Sequence, residues 1–259
     1  MRPLLYILMN YLNNSLKKDT YYYICLTLAL NIDKLPAWSL EEAAKQATVS
    51  VATLNRFCRE IGFNNYSTLR FIASISDEKE YAKFDLTYRE NKLRAIDETL
   101  AQINSLGDGV FLRIGKMLLD CDKVIFYGYG KYLNCALKTQ IDLMVHKKQS
   151  VARIDPMRQV ELIREIDCDR VVVICTSLGG RTVSGHGLME AITQRGFQSV
   201  LITRTEDESI TSFFDEVICI GEDRGYNSGV YGVEYALELI TNAFYTELVA
   251  RNIYRTGGR

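Results

Sequence analysis

Histidine, tryptophan and proline are scarce in this 259-residue sequence, at two, one and three residues. With only His146 and His186, neither at ligand spacing from a cysteine, and no CxxC pair among seven cysteines, a zinc site is not expected and no cofactor is implied. The cysteines, at 25, 58, 121, 135, 168, 175 and 219, are odd in number and mostly lie inside apolar runs, which suits reduced, buried thiols. So few prolines exclude a collagen-like or proline-rich chain. An excess of either charge is also missing: 31 Lys and Arg face 32 Asp and Glu, net −1, so the chain is neither histone-like nor acid-tailed and any electrostatic recognition is local. Long hydrophobic runs are absent as well. Tyr21 to Ile32, the most apolar stretch near the N-terminus, falls well short of the ~20 residues that span a bilayer. The opening MRPLLYILMN is interrupted by Asn10, Asn13 and Asn14 with no small-residue cleavage site after it. A cytoplasmic protein is expected.

What is present is a globular composition, 47% hydrophobic and 24% charged. A chain of this length buries roughly three quarters of its unfolded surface, enough for a core without staples. Its two parts differ in sign: eight basic and five acidic residues through Ser76 give +3, and the remainder carries −4. They differ in periodicity too. Residues 4 to 75 read as successive short helices, whereas from Lys123 short β-branched runs alternate with helical stretches. The expected organisation is a helical domain at 1–76, a charged helical linker at 77–106 and an α/β domain at 107–259. The linker holds no Pro or Gly, which favours a helix or helix pair over a flexible tether. The expected strands are Lys123 to Tyr127, Ser150 to Ile154, Arg170 to Cys175, Ser199 to Thr203 and Glu216 to Ile220. Apolar strands separated by helices point to a parallel sheet covered on both faces, and a last helix is expected from about Gly229 to Arg251.

The stretch Ser39 to Ile61, SLEEAAKQATVSVATLNRFCREI, carries the strongest local signal. Ser39 and Glu42 make a capping box that starts a helix ending near Gln46. Ala43, Ala44 and Ala47 keep its inner face thin, so that a second helix can cross closely. That helix starts after Ser50 as N-cap, with Val51, Leu54, Phe57, Cys58 and Ile61 as its buried stripe. Ala52, Thr53, Asn55, Arg56 and Arg59 are left on or near the outer face, where a recognition helix meets the major groove. Arg and Asn form bidentate base contacts, and Ser or Thr hydroxyls hold phosphate. Two short helices joined by a tight turn also occur in ordinary bundles, so the pattern alone fits either. Thr48 stands where the turn commonly takes Gly; it must tolerate a left-handed conformation or the turn must adopt another geometry.

The segment AAKQATVSVATLNRFCREIGFNNYSTLR resembles the DNA-binding head of the RpiR/MurR-type bacterial transcription regulators, through V-S-x-x-T-x-x-R-F-C, the G-F that follows, and a further Tyr-containing helix. That resemblance implies that Ser50, Thr53 and Arg56 face double-stranded DNA, and that Tyr21 to Trp38 packs as an earlier helix of the same domain.

In the second part, the first strand runs into Gly128-Tyr129-Gly130-Lys131-Tyr132, a glycine-rich turn opening a helix. GxG alone is weak, since strand-to-helix turns use glycine for conformational reasons. The third strand ends in Thr176-Ser177-Leu178-Gly179-Gly180-Arg181-Thr182, where two glycines let backbone N–H groups approach an anion, a helix start adds partial positive charge, and Ser177 and Thr182 offer hydroxyls. Both loops lie at carboxyl ends of strands, where open α/β sheets bind ligands. From Lys123 to Ile253, including the Asn227-Ser228-Gly229 turn, the sequence resembles the sugar-isomerase (SIS) domain that the same regulators carry. The fold this implies is an all-α helix-turn-helix head followed by an α/β SIS-type domain with a five-stranded parallel sheet flanked by helices. The family's third-strand loop reads S-x-S-G-x-T and its hydroxyls bind a phosphosugar's phosphate. The resemblance therefore implies a site formed by Gly128, Gly130, Lys131, Ser177, Gly179, Gly180, Arg181, Thr182 and Ser228. Two departures stand out: Gly179 replaces the middle serine, and Lys131-Tyr132 stand where serines are frequent. Lys131 or Arg181 can compensate, although Arg181 also reads as a solvated helix-start residue.

The implied function is a regulator that binds an operator and changes that binding when a phosphosugar occupies the body. The rivals are a sugar-phosphate isomerase, for which Glu206, Glu208 or His186 would have to be a general base, a body that only dimerises, and a head that binds protein. Two heads must be ~34 Å apart to meet successive major grooves, so a homodimer or tetramer is expected. Val233, Leu237, Ile240 and Phe244 recur on one helical face, which packs either on its own sheet or on a partner.

Overall fold

A computed structural model describes residues 3–74, 86–153, 156–185, 187–221 and 228–256. The chain divides into two compact units, Met1–Tyr81 and Ala82–Arg259.

The first unit is helical throughout its described residues: α1 (Pro3–Asn14), α2 (Thr20–Leu30), a 3-10 turn at Leu35–Ala37, α3 (Leu40–Gln46), α4 (Val51–Glu60) and α5 (Tyr66–Ser74). Asp19 starts α2 by accepting from the Tyr22 N–H at 3.0 Å. Leu28, Leu35, Leu54, Phe57 and Leu69 form a core without solvent exposure. Tyr11 and Tyr21 set their rings edge-on to Phe57, with centroids 5.6 and 5.7 Å away. Burial pushes the Cys25 and Cys58 thiols up to about 12, so both remain neutral core groups.

The second unit opens with α6 (Leu86–Asn104) and α7 (Asp108–Asp120) and continues as β1 (Lys123–Tyr127), α8 (Lys131–Val145), β2 (Gln149–Ala152), α9 (Pro156–Glu165), β3 (Val171–Thr176), α10 (Arg181–Ser184), α11 (Leu188–Arg195), β4 (Gln198–Thr203), α12 (Glu208–Thr211), β5 (Glu216–Cys219) and α13 (Ser228–Thr256). The strands form one parallel sheet in the order β2-β1-β3-β4-β5. β3 is buried at every position, as its unbroken apolar run requires. On one face α13 packs against α6, α7 and α8. Gly115 of α7 lets two backbones meet there, because a Cβ at that position would lie 2.6 Å from the Ala243 carbonyl carbon. Of the stretch 77–106, residues 77–85 lie outside the described residues, and α6 packs within the second unit with Thr99 against Gly232.

Three expectations need correction. Val233, Leu237, Ile240 and Phe244 are at most 1% exposed, so this stripe of α13 is core of its own protomer and does not supply a seam for a second copy. Val51 is 36% exposed: it is the first residue of α4 and lies beyond the inner face filled by Leu54, Phe57 and Cys58. The helix after the third-strand loop is the single turn α10, too short to build a substantial dipole at that loop. Among the described residues, no helix is long and apolar enough to cross a membrane.

Candidate functional site

In the head, the Ser39 hydroxyl accepts from the Glu42 N–H at 3.1 Å and starts α3 as the sequence predicts. The neighbouring Glu41 carboxyl is held below the ordinary range by its own N–H and the Ser39 hydroxyl. After α3 the chain makes a Schellman turn: the Val49 N–H reaches the Ala44 carbonyl at 2.9 Å and the Thr48 N–H the Lys45 carbonyl at 3.0 Å. Thr48 takes the left-handed position with φ +56°, so the turn keeps the geometry glycine usually supplies and accepts a β-branched residue in it. Ala43, Ala44 and Ala47 are buried where α4 crosses.

Ser50 caps α4, accepting from the Thr53 N–H at 3.1 Å, with the two hydroxyl oxygens 2.9 Å apart. Ala52, Arg56 and Arg59 are exposed along α4, and Thr53 is half-buried beside them. Asn55 is also half-buried, and its Oδ1 accepts from the Tyr66 N–H at 3.2 Å, which ties α4 to the start of α5. That bond holds the Asn55 oxygen inside the head, a role its sequence position does not announce.

In the body, the sheet order changes direction between β1 and β3, and the crevice at their carboxyl ends is where such sheets admit ligands. Tyr127 pairs with Cys175 in register, so the two glycine loops leave the sheet side by side. Gly128 is clamped by Gln159, which is fully buried: the Gly128 N–H donates to Oε1 at 3.1 Å, and Nε2 donates to the Gly128 carbonyl at 2.9 Å and to the Arg153 carbonyl at 2.5 Å. Nothing in the polar stretch around Gln159 marks it in advance. Gly130 turns the chain into α8 with φ +55°, and Lys131 Nζ lies 5.3 Å from the Tyr132 ring centroid.

Across the crevice, Ser177 is 4% exposed, Thr182 is half-buried, and Gly179 and Arg181 are exposed. The loop is braced at both ends. Thr203 Oγ1 donates to the Ser177 carbonyl at 2.7 Å, and the Tyr127 hydroxyl donates to the Thr182 carbonyl at 3.1 Å. Burial first, and Tyr129 beside it, push the Tyr127 phenol well above its ordinary range, so it stays a donor. Gly180 has φ +73°, and a Cβ there would lie 2.6 Å from Ile210 Cδ1; Gly179 has open space around it. Ser228, the first residue of α13, is fully buried, and its hydroxyl has no hydrogen-bond partner among the described residues.

Glu206 and Glu208 are exposed, and His186 lies outside the described residues. Among the described residues, no group of three or more His, Cys, Asp and Glu side chains is gathered as a metal site.

Residues 22–80 match the family model described as the helix-turn-helix domain of the rpiR family. The chain is 22% identical over 191 residues, 69% of its length, to an uncharacterized HTH-type transcriptional regulator in the aarA 3' region of Providencia stuartii, and the match covers 67% of that protein. Its fold is similar to that of the Vibrio vulnificus NanR protein complexed with ManNAc-6P, with 14% identity and a TM-score of 0.53 over 99% of this chain and all of that one. It is also similar to the sugar isomerase domain of an RpiR transcription factor from Sphaerobacter thermophilus, with 16% identity and a TM-score of 0.51 over 66% of this chain and 97% of that one.

Proposed function

Because the chain joins an rpiR-family helix-turn-helix head to an α/β body of the sugar-isomerase fold, we propose that it is a DNA-binding transcription regulator whose body senses a phosphosugar. The observation that carries this reading is the pair of loops at the switch point of the sheet, Gly128–Lys131 and Ser177–Thr182, braced from beneath by Gln159, Thr203 and Tyr127. A preorganised pair of backbone loops with Ser and Thr hydroxyls suits an anionic group on a small polar ligand. The similar NanR protein is complexed with ManNAc-6P, which supports a sugar phosphate as the class of ligand.

On the head, the exposed side of α4 offers Arg56 and Arg59 to DNA, and the Ser50 cap offers a hydroxyl beside the helix start. The full set proposed to meet the operator is Ser50, Ala52, Thr53, Asn55, Arg56 and Arg59, with Asn55 reduced to its amide nitrogen. Two copies are required to present two such helices on one face of DNA, so the working form is a homodimer or tetramer.

The sensor reading is favoured over an isomerase: aldose–ketose interconversion needs a general base inside the pocket, and Glu206 and Glu208 are exposed, while His186 lies outside the described residues.

The test is a thermal-shift screen of phosphosugars on the full chain, followed by DNA footprinting of the wild type and Arg56→Ala. A phosphosugar should raise Tm without being turned over, and Arg56→Ala should keep its fold and lose the footprint. An unchanged footprint in Arg56→Ala at physiological salt would remove α4 as the reading helix.

A further inference from the structure

Helix α8 carries two apolar faces, and the protomer's own core uses one of them. Leu133, Ala136, Thr139 and Leu143 are buried on the inner side, where α8 packs on β1, β2 and α13. On the outer side Leu137, Ile141, Met144 and Val145 are between 54% and 72% exposed. A helix that is apolar on both sides is ordinarily covered on both. These four side chains, with Gln140 and Ser150, line a groove of about 420 Å³ between α8 and β2. The Ser150 hydroxyl is buried there and has no hydrogen-bond partner among the described residues.

Three features say what covers this face. The first is symmetry. Leu137, Ile141 and Val145 recur at i, i+4 and i+8, one ridge centred on Ile141. An antiparallel second copy of that ridge sets Leu137 of each chain against Val145 of the other and Ile141 against itself, which is the self-complementary pairing a twofold axis demands.

The second feature is area. Four side chains exposed to this degree leave on the order of 400 Å² of apolar surface in water, whereas each partner of a standard interface buries roughly 800 Å², somewhat more than half of it non-polar. The patch therefore supplies about the apolar share of such an interface, and the exposed Asn134, Lys147 and Gln149 beside it can form a polar rim. The third feature is charge. Lys138 is drawn toward α13, where Glu238 and Glu234 lie 3.2 and 3.9 Å from its Nζ. The ridge thus offers no charge to attract nucleic acid or an acidic partner, and a second apolar ridge of the same shape is its match.

We propose that the outer face of α8 is the surface through which two copies of this chain associate, with Ile141 at the twofold axis. This rests on the two-copy reading of the proposed function and gives it a surface in place of the α13 stripe, which is core.

The experiment is light scattering after size exclusion on the full chain at micromolar concentration, comparing wild type with Ile141→Glu and Leu112→Glu, each checked for folding by circular dichroism. Leu112 is an exposed apolar residue of α7 outside the patch, so its variant controls for the loss of surface hydrophobicity alone. Wild type should run as a dimer or tetramer, Ile141→Glu should halve that mass, and Leu112→Glu should leave it unchanged. Ile141→Cys should also become covalently dimeric with a short bismaleimide, to an extent that the native cysteines of wild type do not reach. If Ile141→Glu fails to fold, the cross-link decides. If Ile141→Glu keeps the mass of an oligomeric wild type, if Leu112→Glu lowers that mass equally, or if Ile141→Cys cross-links no more than wild type, the α8 contact is refuted and the two-copy reading stands on another surface. If wild type is a monomer, the contact and the two-copy reading fall together.

Discussion

Thr48 sits at a φ of +56° at the C′ position of a Schellman turn, where a branched Cβ crowds the following carbonyl. Left-handed geometry costs an L-residue about 1–2 kcal/mol, and glycine's extra unfolded-state entropy returns part of that. Thr48→Gly should therefore raise stability by about 0.5–1 kcal/mol, read as a higher urea midpoint at unchanged slope. A lower midpoint would mean that the turn depends on the threonine side chain.

The two adjacent glycines of the Ser177–Thr182 loop make a sharper contrast at the same scale. Gly179 has an ordinary φ and nothing within 4 Å of an added Cβ, so Gly179→Ser should fold normally and tighten phosphosugar binding by supplying a hydroxyl. Gly180→Ser meets both a φ of +73° and Ile210 at 2.6 Å, and should lose about 1–3 kcal/mol of stability. Thermal unfolding and calorimetry on the two variants separate them. Equal stability would contradict the geometry of the loop.

At the scale of elements, the α7 and α13 helices approach closely at Gly115, where an added Cβ would fall 2.6 to 2.8 Å from backbone atoms of Ala243 and Phe244. Backbone cannot swing aside as a side-chain tip can, so Gly115→Ala should separate the helices and cost about 1–3 kcal/mol. A thermal midpoint equal to wild type would show that the two helices slide freely.

The same elements show what sequence can and cannot convey. Each strand of the sheet begins within one residue of where its apolar run predicts; for the central strands β1, β3 and β4 the reason is that a strand buried on both faces needs continuous apolar side chains. The capped helices of the head are equally legible, since Ser39 and Ser50 perform a local hydrogen-bonding task that three neighbouring residues define. Periodicity along α13 announces a buried face and is silent about what buries it, which is why Val233 to Phe244 fit a partner as well as the protomer's own core. Gln159 is illegible for a related reason: it clamps Gly128, 31 positions away, and no local pattern encodes that distance.

At the scale of the whole molecule, each unit has its own core, and a regulator needs the occupancy of one to alter the DNA affinity of the other. A ligand can do so only by binding the DNA-competent arrangement and its alternative with different affinity. On the proposed function the reciprocal follows: operator DNA would change the affinity for the phosphosugar by the same factor.

The most direct test is fluorescence anisotropy of the full chain on an operator selected by the protein itself from genomic fragments, at fixed physiological salt. It is run without ligand and with a saturating phosphosugar drawn from the thermal-shift screen. The predicted result is specific binding that Arg56→Ala abolishes and a dissociation constant that shifts at least fivefold with the phosphosugar, in line with typical coupling of about 1–3 kcal/mol. Specific binding whose affinity is the same with and without every phosphosugar that stabilises the protein would contradict it.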